Sequence, residues 1–156
     1  MKKTIASLLL LFVTASCTNN SVESIKPAEQ AWSAKEVVVY KNPNCGCCTK
    51  WSEHMKKNGF KLTEKSVDNL SEIKDGLKVP TDKRSCHTAV IDGYVFEGHI
   101  PASSIKKFLN EKNDAVGLVV PGMPAGSPGM EFGNHTSNFH VYSFDASGKT
   151  KVFEKF

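Results

Sequence analysis

Three cysteines within four positions, in Asn44-Cys45-Gly46-Cys47-Cys48-Thr49, are the residues best suited to chemistry in this chain of 156 amino acids. Cys45 and Cys48 have the C-x-x-C spacing of thiol–disulfide enzymes. Backbone N–H groups at a helix N-terminus favour negative charge, so a thiol at a helix start loses its proton more readily. The thiolate is the form that attacks disulfides and binds metals. Cys45, first in the motif, is expected to be the solvent-facing thiol of low pKa, with Cys45 and Cys48 as the redox pair. Cys47 adds a third sulfur that a dithiol enzyme does not need. Three thiols at one turn suit a soft metal ion, and thiolates select Cu(I), Zn or Fe–S. The fourth sulfur is Cys86, in Arg84-Ser85-Cys86-His87-Thr88, which completes a four-thiol site if its loop faces the helix start. The alternatives are buried structural cysteines, or a disulfide between Cys86 and one motif cysteine in an oxidising compartment. A site that is dithiol with metal and disulfide without it reconciles these readings.

Among the histidines, His99 lies in a loop, Gly98-His99-Ile100-Pro101, and is a candidate metal ligand. His87 adjoins Cys86, but successive strand residues point to opposite faces, which counts against it. His54 is seven residues beyond Cys47, about 10.5 Å along a helix axis. That is too far to share a metal ion with a helix-start thiolate, so it reads as a surface helix residue. Nothing in the spacing of His135 and His140 demands a site.

These residues need elements to position them. The apolar, β-branched run 37–40 predicts a buried strand, broken by Asn42-Pro43-Asn44. A helix fits 47–58, with Cys48, Trp51 and Met55 on one face and Gly59 as its stop. A second strand fits 61–67. Asn69 then caps a helix with Glu72 three residues on, in which Leu70, Ile73 and Leu77 share a face. Residues 89–91 and 94–96 form a hairpin about Asp92-Gly93, the preferred turn pair. Pro101, at the first helical position, starts a last helix with Ile105, Phe108 and Leu109 inward. The predicted fold is α/β, in the order β-α-β-α-β-β-α, over residues 36–112. Residues 113–156 are an extension packing on that domain. It holds a Pro/Gly/Met loop, 121–130, and a hairpin, 139–144 with 151–156, turning at Ser147-Gly148.

The N-terminus reads as a targeting segment. Lys2-Lys3 precede a short apolar run, 5–13, and small residues lead to Cys17. This is the layout of a secretory signal over 1–17, too short to span a bilayer. Small residues followed by Cys also match a bacterial lipoprotein box, in which Cys17 would carry the lipid; ordinary cleavage nearby is the alternative. Residues 18–35 are polar and read as a tether, on which only Trp32 could pack. The chain beyond residue 17 has 18 basic and 16 acidic residues, too balanced for a nucleic-acid partner. A membrane is expected to be reached only where Cys17 carries the lipid.

The motifs together resemble one family. The helix-start Cys45-Gly46-Cys47-Cys48 and the element order look like a thioredoxin-like fold, with Cys47 where thioredoxins usually have Pro and Cys86 near their cis-Pro loop. More specifically, the chain resembles the CopG-like family of periplasmic copper-responsive proteins. The resemblance rests on Tyr40-Lys41-Asn42-Pro43-Asn44-Cys45-Gly46-Cys47-Cys48, Trp51-Ser52-Glu53-His54-Met55, Asn58-Gly59-Phe60 and Ser85-Cys86-His87-Thr88-Ala89. It continues in Gly93-Tyr94-Val95-Phe96-Glu97-Gly98-His99-Ile100-Pro101, Val120-Pro121-Gly122-Met123-Pro124 and Gly126-Ser127-Pro128-Gly129-Met130-Glu131, and so spans residues 37–131. It implies a Cu(I) cluster on the thiolates of Cys45, Cys47, Cys48 and Cys86, and copper–thiol redox chemistry in copper resistance. As partners it implies copper ions and periplasmic copper-export or redox proteins. The tail from Phe132 is less typical of the family.

Met123 and Met130 complete the expected ligand set. Three Pro and three Gly across 121–131 exclude a regular helix, so these methionines lack a helical core reason. Thioethers are neutral and soft and bind Cu(I) without deprotonation. The loop is therefore expected to lie over the helix start, with at least one Met, Met123 first, touching copper or capping its site. The competing functions are a copper chaperone or buffer without turnover, a metal-free thiol–disulfide oxidoreductase, and a structural Zn site. A copper-dependent thiol oxidoreductase is the enzymatic reading.

Overall fold

The computed structural model describes residues 35–111 and 114–156. The expected signal segment with Cys17, most of the expected tether with Trp32, and residues 112–113 lie outside the described residues. Residues 37–39 form the middle of β1 (Glu36–Lys41), with Val37 and Val39 fully buried. Asn42 then closes a turn, its carbonyl accepting from Cys45 N–H at 3.1 Å, and α1 (Gly46–Lys57) begins with Cys45 as its N-cap. Cys48, Trp51, Ser52 and Met55 form the buried face of α1, and Gly59, at φ +90°, follows its end. β2 (Lys61–Ser66) runs parallel to β1.

The helix α2 (Leu70–Gly76) is capped as the sequence predicts, with Asn69 Oδ1 accepting from Glu72 N–H at 3.3 Å. Leu70, Ile73 and Leu77, which share its apolar face, are partly buried, and the buried residue of this helix is Lys74. The reason is a carboxylate beneath it, described below. A 3-10 turn (Thr81–Lys83) leads to β3 (His87–Ile91) and β4 (Tyr94–Glu97), joined through Asp92 (φ +51°) and Gly93 (φ +84°). Positive φ at both central residues is the signature of the turn that matches strand twist. Pro101 is the N-cap of α3 (Ala102–Asn110), so the helix begins one residue later than expected; Ile105 and Phe108 are buried and Leu109 packs at the edge.

The remaining chain adds three strands, β5 (Gly117–Val119), β6 (His140–Phe144) and β7 (Thr150–Lys155). The last two are the expected hairpin, with Asp145 Oδ1 accepting from the N–H of Ser147 and Lys149 at its turn. β5 was not expected. It pairs parallel to β4 and antiparallel to β6, giving one sheet in the order β2-β1-β3-β4-β5-β6-β7. The extension therefore continues the preceding unit's sheet, and Phe139 and Val141 join its core. Strand alternation divides the core between the two faces. One face gathers Val37, Val39, Ala89, Ile91, Phe96, Leu118 and Val141 against Trp51, Met55, Ile105 and Phe108 of the helices. The other gathers Val79, Val95, Val119 and Phe144.

Candidate metal centre

Four sulfur atoms meet where α1 starts. Cys45 and Cys48 are joined in a disulfide, and Cys47 and Cys86 are free thiols. Cys47 Sγ lies 3.5 Å from Cys45 Sγ and 3.9 Å from Cys86 Sγ, and Cys48 Sγ lies 3.4 Å from Cys86 Sγ. All four sulfurs are within 4.8 Å of one another. The oxidised pair is the C-x-x-C pair; Cys86 is not its partner. Cys48 is fully buried and Cys45 only partly, so the first motif sulfur is the more accessible of the two.

Why these sulfurs converge follows from the chain. Gly46 leaves the first turn of α1 open, with no atom within 4 Å of where its Cβ would stand. The first turn carries no acidic side chain that would compete for its N–H groups. Cys86 ends the segment before β3, and β3 pairs with β1, whose end feeds α1. The strand pairing thus brings residues 38 apart in sequence together.

Both histidines next in line join the cluster. His99 Nε2 is 3.0 Å from Cys86 Sγ, and its Nδ1 is 2.8 Å from the Pro128 carbonyl. A carbonyl only accepts, so Nδ1 carries the proton and the Nε2 lone pair faces Cys86. His87, set aside on the sequence, has Nδ1 3.3 Å from Cys86 Sγ. Its ring lies 4.5 Å from Trp51 and 5.0 Å, edge-on, from His99, and its Nε2 has no hydrogen-bond partner among the described residues. Cys86, His87 and His99 offer a second group of donors within 4.8 Å. Alternation failed as a guide because Cys86 precedes the strand and only His87 is in it. Burial holds both imidazoles below the ordinary histidine range, so both are neutral and able to donate a lone pair. Burial, with Cys47 adding to it, pushes the Cys86 thiol up to about 12.

Of the two methionines, Met123 makes the sulfur contact: its Sδ is 4.0 Å from Cys47 Sγ. Met123 is exposed at 52 %, at the rim of the cluster. Met130 is tied into the loop itself, its N–H donating to Ser127 and its carbonyl accepting from Gly126. The loop reaches α1 at Gly129, where an added Cβ would stand 2.8 Å from the Cys47 carbonyl oxygen and 2.8 Å from Trp51 N. His54 serves the scaffold: its Nε2 accepts the Ala102 N–H at 3.0 Å, satisfying a donor at the start of α3.

Beneath Cys86 is a buried polar group that sequence reasoning missed. Glu97 Oε1 accepts from Ser85 N–H at 2.6 Å and from Lys74 Nζ at 2.5 Å, and Glu97 Oε2 accepts from the Thr88 hydroxyl at 2.6 Å. Burial raises the Glu97 carboxyl and lowers the Lys74 ammonium relative to their ordinary ranges. Each charge is thus tolerated only because the other is present.

The fold and the site define a mixed α/β protein with a sulfur-rich cluster, flanked by two neutral imidazoles, at a helix start. Two solved structures titled copper resistance protein copG are similar to it. Form 2 is 44% identical, with a TM-score of 0.75 over 78% of this chain and 98% of that one. Form 1 is 45% identical, with a TM-score of 0.74 over 78% and 96%. Residues 83–130 match a family described as a protein of unknown function, DUF411. No match is found among curated protein sequences. The chain belongs to the CopG-like family of copper resistance proteins.

Proposed function

We propose that this is an exported copper-binding protein of thioredoxin-like core that holds Cu(I) on Cys45, Cys47, Cys48 and Cys86 and couples copper valence to thiol oxidation in copper resistance. The observation that carries the reading is the convergence of four sulfurs within 4.8 Å. The donor set fits copper: thiolates and a thioether are soft, and neutral imidazole suits copper as well. Met123, at Cys47, and His99, at Cys86, are the further candidate ligands. The likeness to proteins titled copper resistance supports the same cargo. Several thiolates shared among close positions favour more than one ion per chain.

The disulfide supplies the redox half of the reading. Reduced Cys45 and Cys48 together give two electrons to two Cu(II) ions, forming the S–S bond, two Cu(I) and two released protons. The reverse consumes the disulfide. Copper loading of the remaining thiols requires their deprotonation, and the raised Cys86 pKa makes that step release a proton at neutral pH. A metal-free thiol–disulfide oxidoreductase is the second reading, favoured by the Cys45–Cys48 disulfide at the helix start alone.

Anaerobic Cu(I) titration of the reduced protein, with thiols counted before and after Cu(II), tests both. More than one Cu(I) per chain, and one thiol lost per Cu(II) reduced, are expected. Failure to bind Cu(I), with insulin reduction in its absence, would overturn the copper reading. Export with a lipid on Cys17 is tested by palmitate labelling. Wild type is expected to label and Cys17→Ser not; no label in either rejects the anchor.

A further inference from the structure

We propose that Glu97, held by Lys74, is the positioning residue of the sulfur cluster: its carboxylate fixes the Ser85-Cys86 segment and, through Ser85, the loop that carries Met123. The inference deepens the copper reading, which gives the positioned thiol its purpose, but the placement itself does not depend on metal.

Three donors from three segments converge on this one carboxylate. Ser85 N–H comes from the loop before β3, the Thr88 hydroxyl from β3 and the Lys74 ammonium from α2, while Glu97 itself ends β4. Lys74 also donates to Thr88 Oγ1 at 2.9 Å, closing the group into a ring. The Glu97 side chain has no solvent exposure, and that of Lys74 has 5 %. A buried ion pair is a poor way to gain stability, since apolar residues of similar volume often do as well or better. What an apolar residue cannot do is hold the Ser85 N–H. That group lies ahead of the β1–β3 ladder, whose pairing begins at His87, so Glu97 is its anchor.

The same residue docks the methionine loop. The Ser85 hydroxyl donates to the Gly122 carbonyl, and Gly122 N–H donates to the Arg84 carbonyl at 3.4 Å. The Glu97 backbone carbonyl accepts from Val120 N–H at 3.0 Å, so Glu97 grips both sides of the junction. The junction is tight. A Cβ at Gly98 would stand 2.7 Å from Ser85 Cβ and 2.6 Å from the Val120 carbonyl oxygen. Cys86, one residue on, sits between Cys48 at 3.4 Å and His99 at 3.0 Å. Its sulfur cannot keep both neighbours if Ser85 moves.

The test compares wild type with Glu97→Leu, Glu97→Gln and the double variant Lys74→Met/Glu97→Gln. The double variant removes both charges together and so leaves neither buried alone. In the whole chain in its metal-free disulfide form, iodoacetamide labels the free thiols, and peptide mass spectrometry gives the ratio of the Cys86 and Cys47 rates. Loss of positioning is expected to raise the Cys86 rate relative to Cys47 by about 5-fold or more in the double variant. General loosening of the fold would raise both rates and leave the ratio unchanged. Anaerobic Cu(I) competition against a chromophoric chelator is expected to show an affinity about 10–100-fold weaker, the usual effect of losing a group that orients ligands. A folded double variant with the wild-type labelling ratio and wild-type Cu(I) affinity would overturn the proposal. If wild type binds no Cu(I), the copper reading fails, and the labelling ratio alone decides whether Glu97 positions Cys86.

Discussion

Replacing Gly129 with Ala tests whether the 121–130 loop rests on α1. Gly129 has φ +86°, a conformation that costs a non-glycine residue about 1–2 kcal/mol. Its new Cβ would lie 2.8 Å from Cys47 O and from Trp51 N, so the loop must lift by about 0.6 Å to reach ordinary contact. Pro128 precedes it, and the same lift stretches the 2.8 Å bond to His99 Nδ1 beyond the usual range, a loss of about 1 kcal/mol. The sum is about 2–3 kcal/mol, or roughly 8–12 °C in melting temperature at about 4 °C per kcal/mol for a chain of this size. Gly133 is the control: φ is +60° there, but no atom lies within 4 Å of its Cβ position. Gly133→Ala therefore costs only the backbone part, about 1 kcal/mol. Thermal unfolding of the three proteins, followed by circular dichroism, measures the difference. Equal melting temperatures for Gly129→Ala and Gly133→Ala would refute the docking of the loop on the helix.

Three further outcomes are expected. Cys47→Ser lowers the anaerobic Cu(I) stoichiometry, because a hydroxyl is a harder ligand than a thiolate; full stoichiometry would remove Cys47 from the site. Met123→Leu weakens Cu(I) binding more than Met130→Leu does in a chelator competition, since only Met123 contacts a cluster sulfur in the structure; equal effects would count against a Met123 ligand. His54 accepts the Ala102 N–H on an unprotonated nitrogen, and burial lowers its pKa below 6.5, so the folded state binds the proton less readily than the unfolded one. The stability from this contact is full above that pH and falls as pH drops below it towards the folded pKa. His54→Ala should cost about 1 kcal/mol at neutral pH, with the gap to wild type narrowing on acidification; parallel pH curves for the two proteins would reject this role.

The sequence showed the residues of the cluster better than it showed what holds them. Local signals were sufficient for the hairpin at Asp92-Gly93, for the Asn69 cap and for the buried face of α1, because turn chemistry, capping and periodicity act within a few residues. β5 escaped because three buried residues in an apolar run carry no alternation, and its pairing with β4 and β6, both distant in the chain, makes it a strand. Lys74 escaped for a related reason. Its burial depends on Glu97, 23 residues away, and no local pattern announces a partner at that distance. The apolar face of Leu70, Ile73 and Leu77 says nothing of the lysine that the fold turns inward.

The seven strands form one sheet, and that continuity sets an order of assembly. Synthesis runs from the N-terminus, so the three motif thiols emerge first, Cys86 follows 38 residues after Cys48, and Met123 comes 76 residues after Cys47. Pro128, whose carbonyl orients His99, is later still. The Cys45–Cys48 contact spans three residues, whereas the loop is carried to α1 by a chain that first pairs β5 with β4. The finished set of donors belongs to the completed chain alone.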